Sequence, residues 1–392
     1  MTGFRIEHAA FERGRVQEWA GREVRHDDWP VVYAINGARH VYVGESVNAG
    51  TRVLQHLASP KAEHLDEFRV VLDDTFNKSV CLDLETYLIR MLNADQRYTV
   101  LNKQLNTRNS NYYDRHRYRA RFADVFEALR AAGLFDHDLE TLENSNLFKL
   151  SPFTSLTQTQ AHAVETILDL VRGEAPASSP IVVQGDPGTG KTVVAIFLAK
   201  LLADMDEPED EHLDLGTFID TEAPDARTGL RGLRIAFVVP QQSLRKTIEN
   251  VFTATPSLRD VPVLTPFEVA ESRSPFDVLI VDEAHRLQQF SGALQTLSTP
   301  FRDINRRLFP DDVDGVAHTQ LDWIVAMSHT QVLMLDARQT VRPMSDLPAS
   351  TVSDVVDRSR RDGRFLRLWT QMRTLAGEKY VDHVTDVLSG VP

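Results

Sequence analysis

The sequence predicts an α/β protein: a small α+β domain, then a parallel sheet covered by helices. Three features of the 392-residue chain carry this expectation. Asn36-Gly37, between the apolar runs "VVYAI" and "HVYVG", signals a β-hairpin. Four later runs of strand length, "IVVQ", "RIAFVV", "DVLIVD" and "QVLMLD", each lead into polar or helical sequence. That rhythm belongs to parallel strands buried on both faces. Between the first such run and the helical "TVVAIFLAKLLA" stands "GDPGTGKT", a glycine-rich loop placed where a phosphate would sit.

Composition narrows the class. A hydrophobic content of 42% with 25% charged residues is that of a globular chain, long enough for two or three domains. Cys81 is the only cysteine, which excludes an intrachain disulfide and a multi-cysteine zinc site. No apolar run reaches membrane-span length, and the charged N-terminus does not read as a signal peptide, so a cytoplasmic protein is expected. The net charge of −13 argues against a wholly basic surface. Residues 1–120 nevertheless balance 17 Lys/Arg against 16 Asp/Glu, so any nucleic-acid contact must be local.

Taken in order, residues 1–30 read as a polar helical extension. In the hairpin, a two-residue turn at Asn36-Gly37 pairs Tyr33 with His40, and a four-residue turn pairs Tyr33 with Tyr42. Either leaves both phenols on one face, whereas a three-residue turn separates them. Arg52 and His56 then fall one helical turn apart in "AGTRVLQHL". In "LDLETYLIRML", Glu85 sits among Leu84, Leu88, Ile89 and Leu92. A carboxylate on such a stripe needs a salt bridge or a metal. "NYYDRHRYRARF" interleaves Arg115, Arg117, Arg119 and Arg121 with Tyr112, Tyr113, Tyr118 and Phe122. Packed rings with solvated arginines, or a guide for a nucleic-acid strand, both fit that pattern. The acidic run "ADMDEPEDEHLDLGTFIDTEAPDARTG" reads as a solvated insertion.

In the glycine loop, Gly185, Asp186, Pro187, Gly188, Thr189 and Gly190 would turn backbone N–H groups toward phosphate oxygens. Lys191 would reach the β- and γ-phosphates and Thr192 would bind Mg²⁺. "DVLIVDEAHR" delivers Asp282 to the Mg²⁺ shell and Glu283 to the attacking water at the carboxyl end of a strand. ATP with one Mg²⁺ is the expected cofactor.

These segments, with "LTQTQ", "LDARQ" and "QMR", resemble superfamily 1 helicases. The resemblance implies a RecA-like lobe in which Gln160 reads adenine, Gln339 senses the γ-phosphate and Arg373 approaches it from a second lobe. "ENSNLFKLSPFTSLTQTQ" and "TQLDWIVAMSHTQVLMLDARQTVRP" are similar to the bacterial Schlafen group 3-like DNA/RNA helicase domain, over roughly residues 144–392. The sequence ends shortly after "QMR", so one complete lobe and the start of an incomplete second are expected.

The hairpin and the helical segments after it resemble the GIY-YIG endonuclease domain over roughly residues 29–115, with "VVY" and "YVG" as its two triplets. The phrases "YVGESVNAGTRVLQH", "FNKSVCLDLETYLIRMLNAD" and "NSNYYDRHRY" are similar to the nuclease that bacteria fuse to that helicase domain. The resemblance implies Tyr33 as general base or its hydrogen-bond partner, and Tyr42 as an aid to positioning water. Arg52 would clamp the phosphate, His56 would assist proton transfer, Glu85 would hold one divalent metal and Asn102 would brace the site. A metal and an arginine neutralise charge while a phenol–imidazole pair handles the proton.

The implied organisation is a helical extension (1–30), a GIY-YIG-type nuclease domain (31–115), a helical connector (116–150), a RecA-like lobe (151–345) and the start of a second lobe (346–392). The implied function is a metal-dependent endonuclease acting on DNA or RNA, with ATP as regulator or motor fuel, in DNA processing or phage defence. Two alternatives stand beside it: a nucleotide-sensing switch that controls the nuclease without unwinding, and an ATP-dependent remodeller with an inactive binding module.

Overall fold

The computed structural model describes residues 3–102, 112–154, 156–173, 179–205, 230–291, 295–336 and 345–369. Mixed helices and strands, with one fully parallel sheet, make this an α/β fold. The chain divides into two compact units, Met1–Ser155 with Val251–Pro256, and Leu156–Asn250 with Ser257–Pro392.

The first unit runs β1 (Phe4–Ala10), α1 (Arg13–Ala20), β2 (Val31–Asn36), β3 (His40–Ser46), α2 (Ala49–Leu57), β4 (Glu67–Asp73), α3 (Lys78–Asp95), β5 (Thr99–Val100), α4 (Arg115–Ala131), α5 (Leu139–Asn144) and α6 (Asn146–Lys149). Its five strands lie in the order β1-β4-β2-β3-β5. Residues 1–30 are therefore not a helical extension throughout. Phe4–Ala10 alternates exposure as an edge strand does and pairs along its whole length with β4. One face of the sheet buries Tyr33, Ile35, Phe68 and Val70 together with Trp19 and Val53. Helix α3 packs against β2 and β3. Cys81 is fully buried there, as a small hydrophobe would be.

The hairpin turn is not at Asn36-Gly37. Asn36 pairs with Val41, and the Gly37 N–H donates to the His40 carbonyl at 3.0 Å, so Ala38 and Arg39 form the turn. Gly37 serves a close approach instead: a Cβ there would lie 2.1 Å from the His64 carbonyl oxygen. The register moves by an even number of residues from either expected pairing. Tyr33 faces Gly44 and Tyr42 faces Ile35, which keeps both phenols on one face.

The second unit runs α7 (Gln158–Arg172), β6 (Ile181–Gly185), α8 (Lys191–Asp204), β7 (Ile235–Val238), α9 (Gln242–Ala254), β8 (Val263–Leu264), α10 (Pro266–Ala270), β9 (Phe276–Val281), α11 (Gln295–Leu308), α12 (Gln320–Ala326), β10 (Ser328–Leu335), α13 (Ala349–Arg361) and β11 (Phe365–Leu368). The six strands are all parallel, in the order β11-β6-β10-β9-β7-β8. Consecutive buried residues along β6, β7 and β9 require cover on both faces, which explains their unbroken apolar runs. Residues 346–369 do not open a second lobe. Helix α13 packs on β6, and β11 pairs with β6 from Phe365–Val182 to Leu368–Gly185, extending the first sheet.

Candidate functional sites: a phenol–imidazole cluster and a phosphate loop

In the first unit the candidate residues gather where β3 loses its neighbour. Strand β5 pairs only with His40 and Val41 of β3. Beyond that, Asn102 takes the place of a strand. Its Oδ1 accepts from the Val43 N–H at 3.0 Å, and its Nδ2 donates to the Val43 carbonyl at 2.7 Å. On β2, the Tyr33 phenol crosses over Gly44. A Cβ at Gly44 would lie 2.4 Å from the Tyr33 Oη, so the second triplet needs its glycine to seat the ring of the first. The Tyr33 Oη meets His56 Nε2 at 3.0 Å. The Tyr42 and His56 rings are 4.4 Å apart, and those of Tyr33 and Tyr42 are 6.3 Å apart.

Electrostatics tie Arg52 and Glu85 to this cluster. Burial pushes the Tyr33 phenol well above its ordinary value, with Tyr42 adding to the rise and Arg52 opposing it. Burial, with the charge of Glu85, pushes Tyr42 up to about 12, again against Arg52. Both are neutral phenols at rest. Glu85 is pushed up to about 8 by burial and by Glu45, while Lys78 and Arg52 pull it back. Tyr33, Tyr42, Arg52, His56 and Glu85 are thus close enough to set one another's charge. Sequence reasoning missed Glu45 and Lys78, whose charges lie 3.5 Å apart. The signal for Glu45 was a lone acid directly after "YVG" on an otherwise apolar strand. Carboxylate oxygens are the donors Mg²⁺ takes, so the residues present fit a divalent cation.

The arginine–tyrosine stretch is largely committed to packing. Arg115 and Arg119 both bind Asp83, and Arg121 binds Asp73 at 2.5 Å. The Tyr112 hydroxyl donates to Asp83 and the Tyr118 hydroxyl to the Thr75 carbonyl, while Phe122 is buried. Tyr113 and Arg117 remain exposed. Clamping three arginines to carboxylates leaves little of a guide for a strand.

In the second unit the glycine loop leaves β6 and enters α8. Gly188 and Gly190 adopt φ of 88° and 82°, a conformation that favours glycine. Lys191 Nζ donates to the Gly185 and Asp186 carbonyls at 2.8 and 3.2 Å and lies 3.5 Å from Asp336. Thr192 Oγ1 donates to Asp282 Oδ2 at 2.8 Å. The opposite oxygen, Oδ1, is buried with no hydrogen-bond partner. Burial and the neighbouring Glu283 push Asp282 up to about 6, against the Thr192 bond. A hydroxyl beside an orphaned carboxylate oxygen is a donor set that fits Mg²⁺. Glu283 has φ of 50° and lies 3.1 Å from His285 Nε2. Gln160 closes a capping box at the start of α7, accepting from the Thr157 N–H, and its amide donates to the Thr189 carbonyl at 3.0 Å. It touches the loop directly, with both side-chain polar atoms engaged. Asp336, buried at the end of β10, was not singled out from sequence, although "QVLMLD" ends as "DVLIVD" does. Gln339 and Arg373 lie outside the described residues.

A parallel sheet with this loop at the carboxyl end of β6 and Asp282 at the end of β9 defines a phosphate-loop α/β domain. The chain matches the model of the Schlafen group 3 DNA/RNA helicase domain over residues 178–391, more than half its length, and belongs to that family. It thus carries a nucleotide-binding domain of helicase type. No curated protein matches it. Among the described residues, no helix is long and apolar enough to cross a membrane.

Proposed function

We propose that the chain is a metal-dependent nucleic-acid endonuclease of GIY-YIG type, joined to an ATP-binding helicase-type domain that governs its action. The observation that carries this reading is the meeting of Tyr33, His56, Tyr42, Arg52 and Glu85 at the open edge of β3. A phosphodiester laid along that edge would meet Arg52 as its charge clamp. Tyr33 would take the proton of the attacking water as its own passes to His56 Nε2, since burial leaves the free phenol too weak an acid to ionise beforehand. The divalent cation that Glu85 would hold supplies Lewis-acid charge for the leaving oxygen. Asn102 would keep β3, and with it Tyr42, in place.

In the helicase-type domain, Lys191 and the Gly185–Gly190 backbone would hold the ATP phosphates. Thr192 and Asp282 would hold Mg²⁺, and Glu283 would orient water. DNA is the proposed substrate of the nuclease, with RNA as the alternative. Incubation with supercoiled plasmid and Mg²⁺ tests the nuclease. The native protein nicks it, and Glu85→Ala or Arg52→Ala slows nicking by at least about a hundredfold, the scale of losing one charge stabiliser. Equal nicking by all three proteins refutes the reading.

A further inference from the structure

The Glu45 carboxylate has no role in the set that the sequence supplied, yet it sits where that set needs a ligand. It lies on β3 next to Gly44, the residue that Tyr33 covers. Helix α3 packs against β3, and the Glu45 carboxylate comes 3.5 Å from Lys78 in the first turn of that helix. Glu85 is seven residues further on, two turns along the same helical face. The charge of Glu45 is also felt at Cys81, which lies between the two, and at Glu85. Two acids therefore approach one another across the β3–α3 contact in a poorly solvated place. Lys78, with its side chain 67% exposed, is a weak counter-charge from the rim.

We infer that Glu45 and Glu85 together ligate the divalent cation, Glu45 from β3 and Glu85 from α3. The inference rests on the metal-dependent reading above and goes beyond it by adding a second protein oxygen. A cation between the two carboxylates removes their mutual repulsion, and two hard oxygen donors suit Mg²⁺ or Mn²⁺. It also explains an acid on a strand whose neighbours are apolar. Lys78 becomes a competitor for Glu45 rather than a necessary partner.

Titration of the full-length protein with Mn²⁺ in the absence of nucleotide, followed by calorimetry or by the loss of the free-ion paramagnetic signal, tests this without reference to cleavage. Glu45→Gln is expected to raise the Mn²⁺ dissociation constant by at least about tenfold, since even groups one step removed from a metal cost that much. Lys78→Met is expected to tighten binding or leave it unchanged. A merely structural ion pair would make Lys78→Met and Glu45→Gln behave alike. Should Glu85→Gln weaken Mn²⁺ binding while Glu45→Gln does not, the inference fails and the metal reading survives. If neither substitution matters, both fall.

Discussion

Single atoms decide two properties of the first unit. A methyl group on Gly44 would sit 2.4 Å from the Tyr33 Oη, so Gly44→Ala must displace the phenol or the strand. The expected cost is about 1–3 kcal/mol, as for other overpacked sites. Urea unfolding checks this, and unchanged stability would mean that the ring moves aside freely. Glu67 offers a test through pH. Burial pushes its carboxyl up, but bonds from Asn36, His8 and Arg69 outweigh that and hold it down to about 2, against an ordinary 4.5. A depressed acid contributes its stability above the unfolded value and loses it as pH falls through the folded one. The stability gap between native protein and Glu67→Gln should therefore shrink as pH drops from about 4.5 toward about 2. Urea midpoints at several pH values measure that gap, and one that stays constant refutes the assignment.

Among the elements, Asn102 is the test case. Its amide makes both hydrogen bonds that a neighbouring strand would have given Val43. Asn102→Ala leaves a buried N–H and C=O unpaired, which costs about 1–3 kcal/mol per group. Amide exchange at Val43 should accelerate more than at Val32 in the central strand β2, and equal protection would show the bonds to be dispensable. Legibility also varied by element. Long buried strands announced themselves, because cover on both faces demands unbroken apolar runs such as "DVLIV". The shared face of Tyr33 and Tyr42 was readable because an even shift in register preserves it. The turn itself was misplaced: Gly37 is there for the His64 carbonyl, a contact from a distant segment that no local pattern encodes. β1 and β11 went unseen for a similar reason. Each is a short strand at the end of its sheet, fixed by pairing with β4 and β6 rather than by its own composition. Glu45 escaped because its meaning lies in what α3 brings beside it.

For the whole molecule, the phosphate loop predicts how nucleotide alters stability. Lys191 now spends its ammonium on the Gly185 and Asp186 carbonyls and on Asp336, contacts that phosphate oxygens would replace. Ligand that binds only the folded chain stabilises it by about 2.7 kcal/mol at a hundredfold excess over its dissociation constant. MgATP should raise the melting temperature of the native protein and leave that of Lys191→Ala unmoved, as read by thermal shift. An equal rise in both would place ATP elsewhere. Asn102 has a further consequence at this scale. An unsatisfied strand border invites a neighbouring molecule to add itself, and evolution usually blocks such borders with charge or proline. Here an amide side chain fills the next rung of the ladder, so the margin holding the phenols stays exposed to a substrate yet closed to self-association.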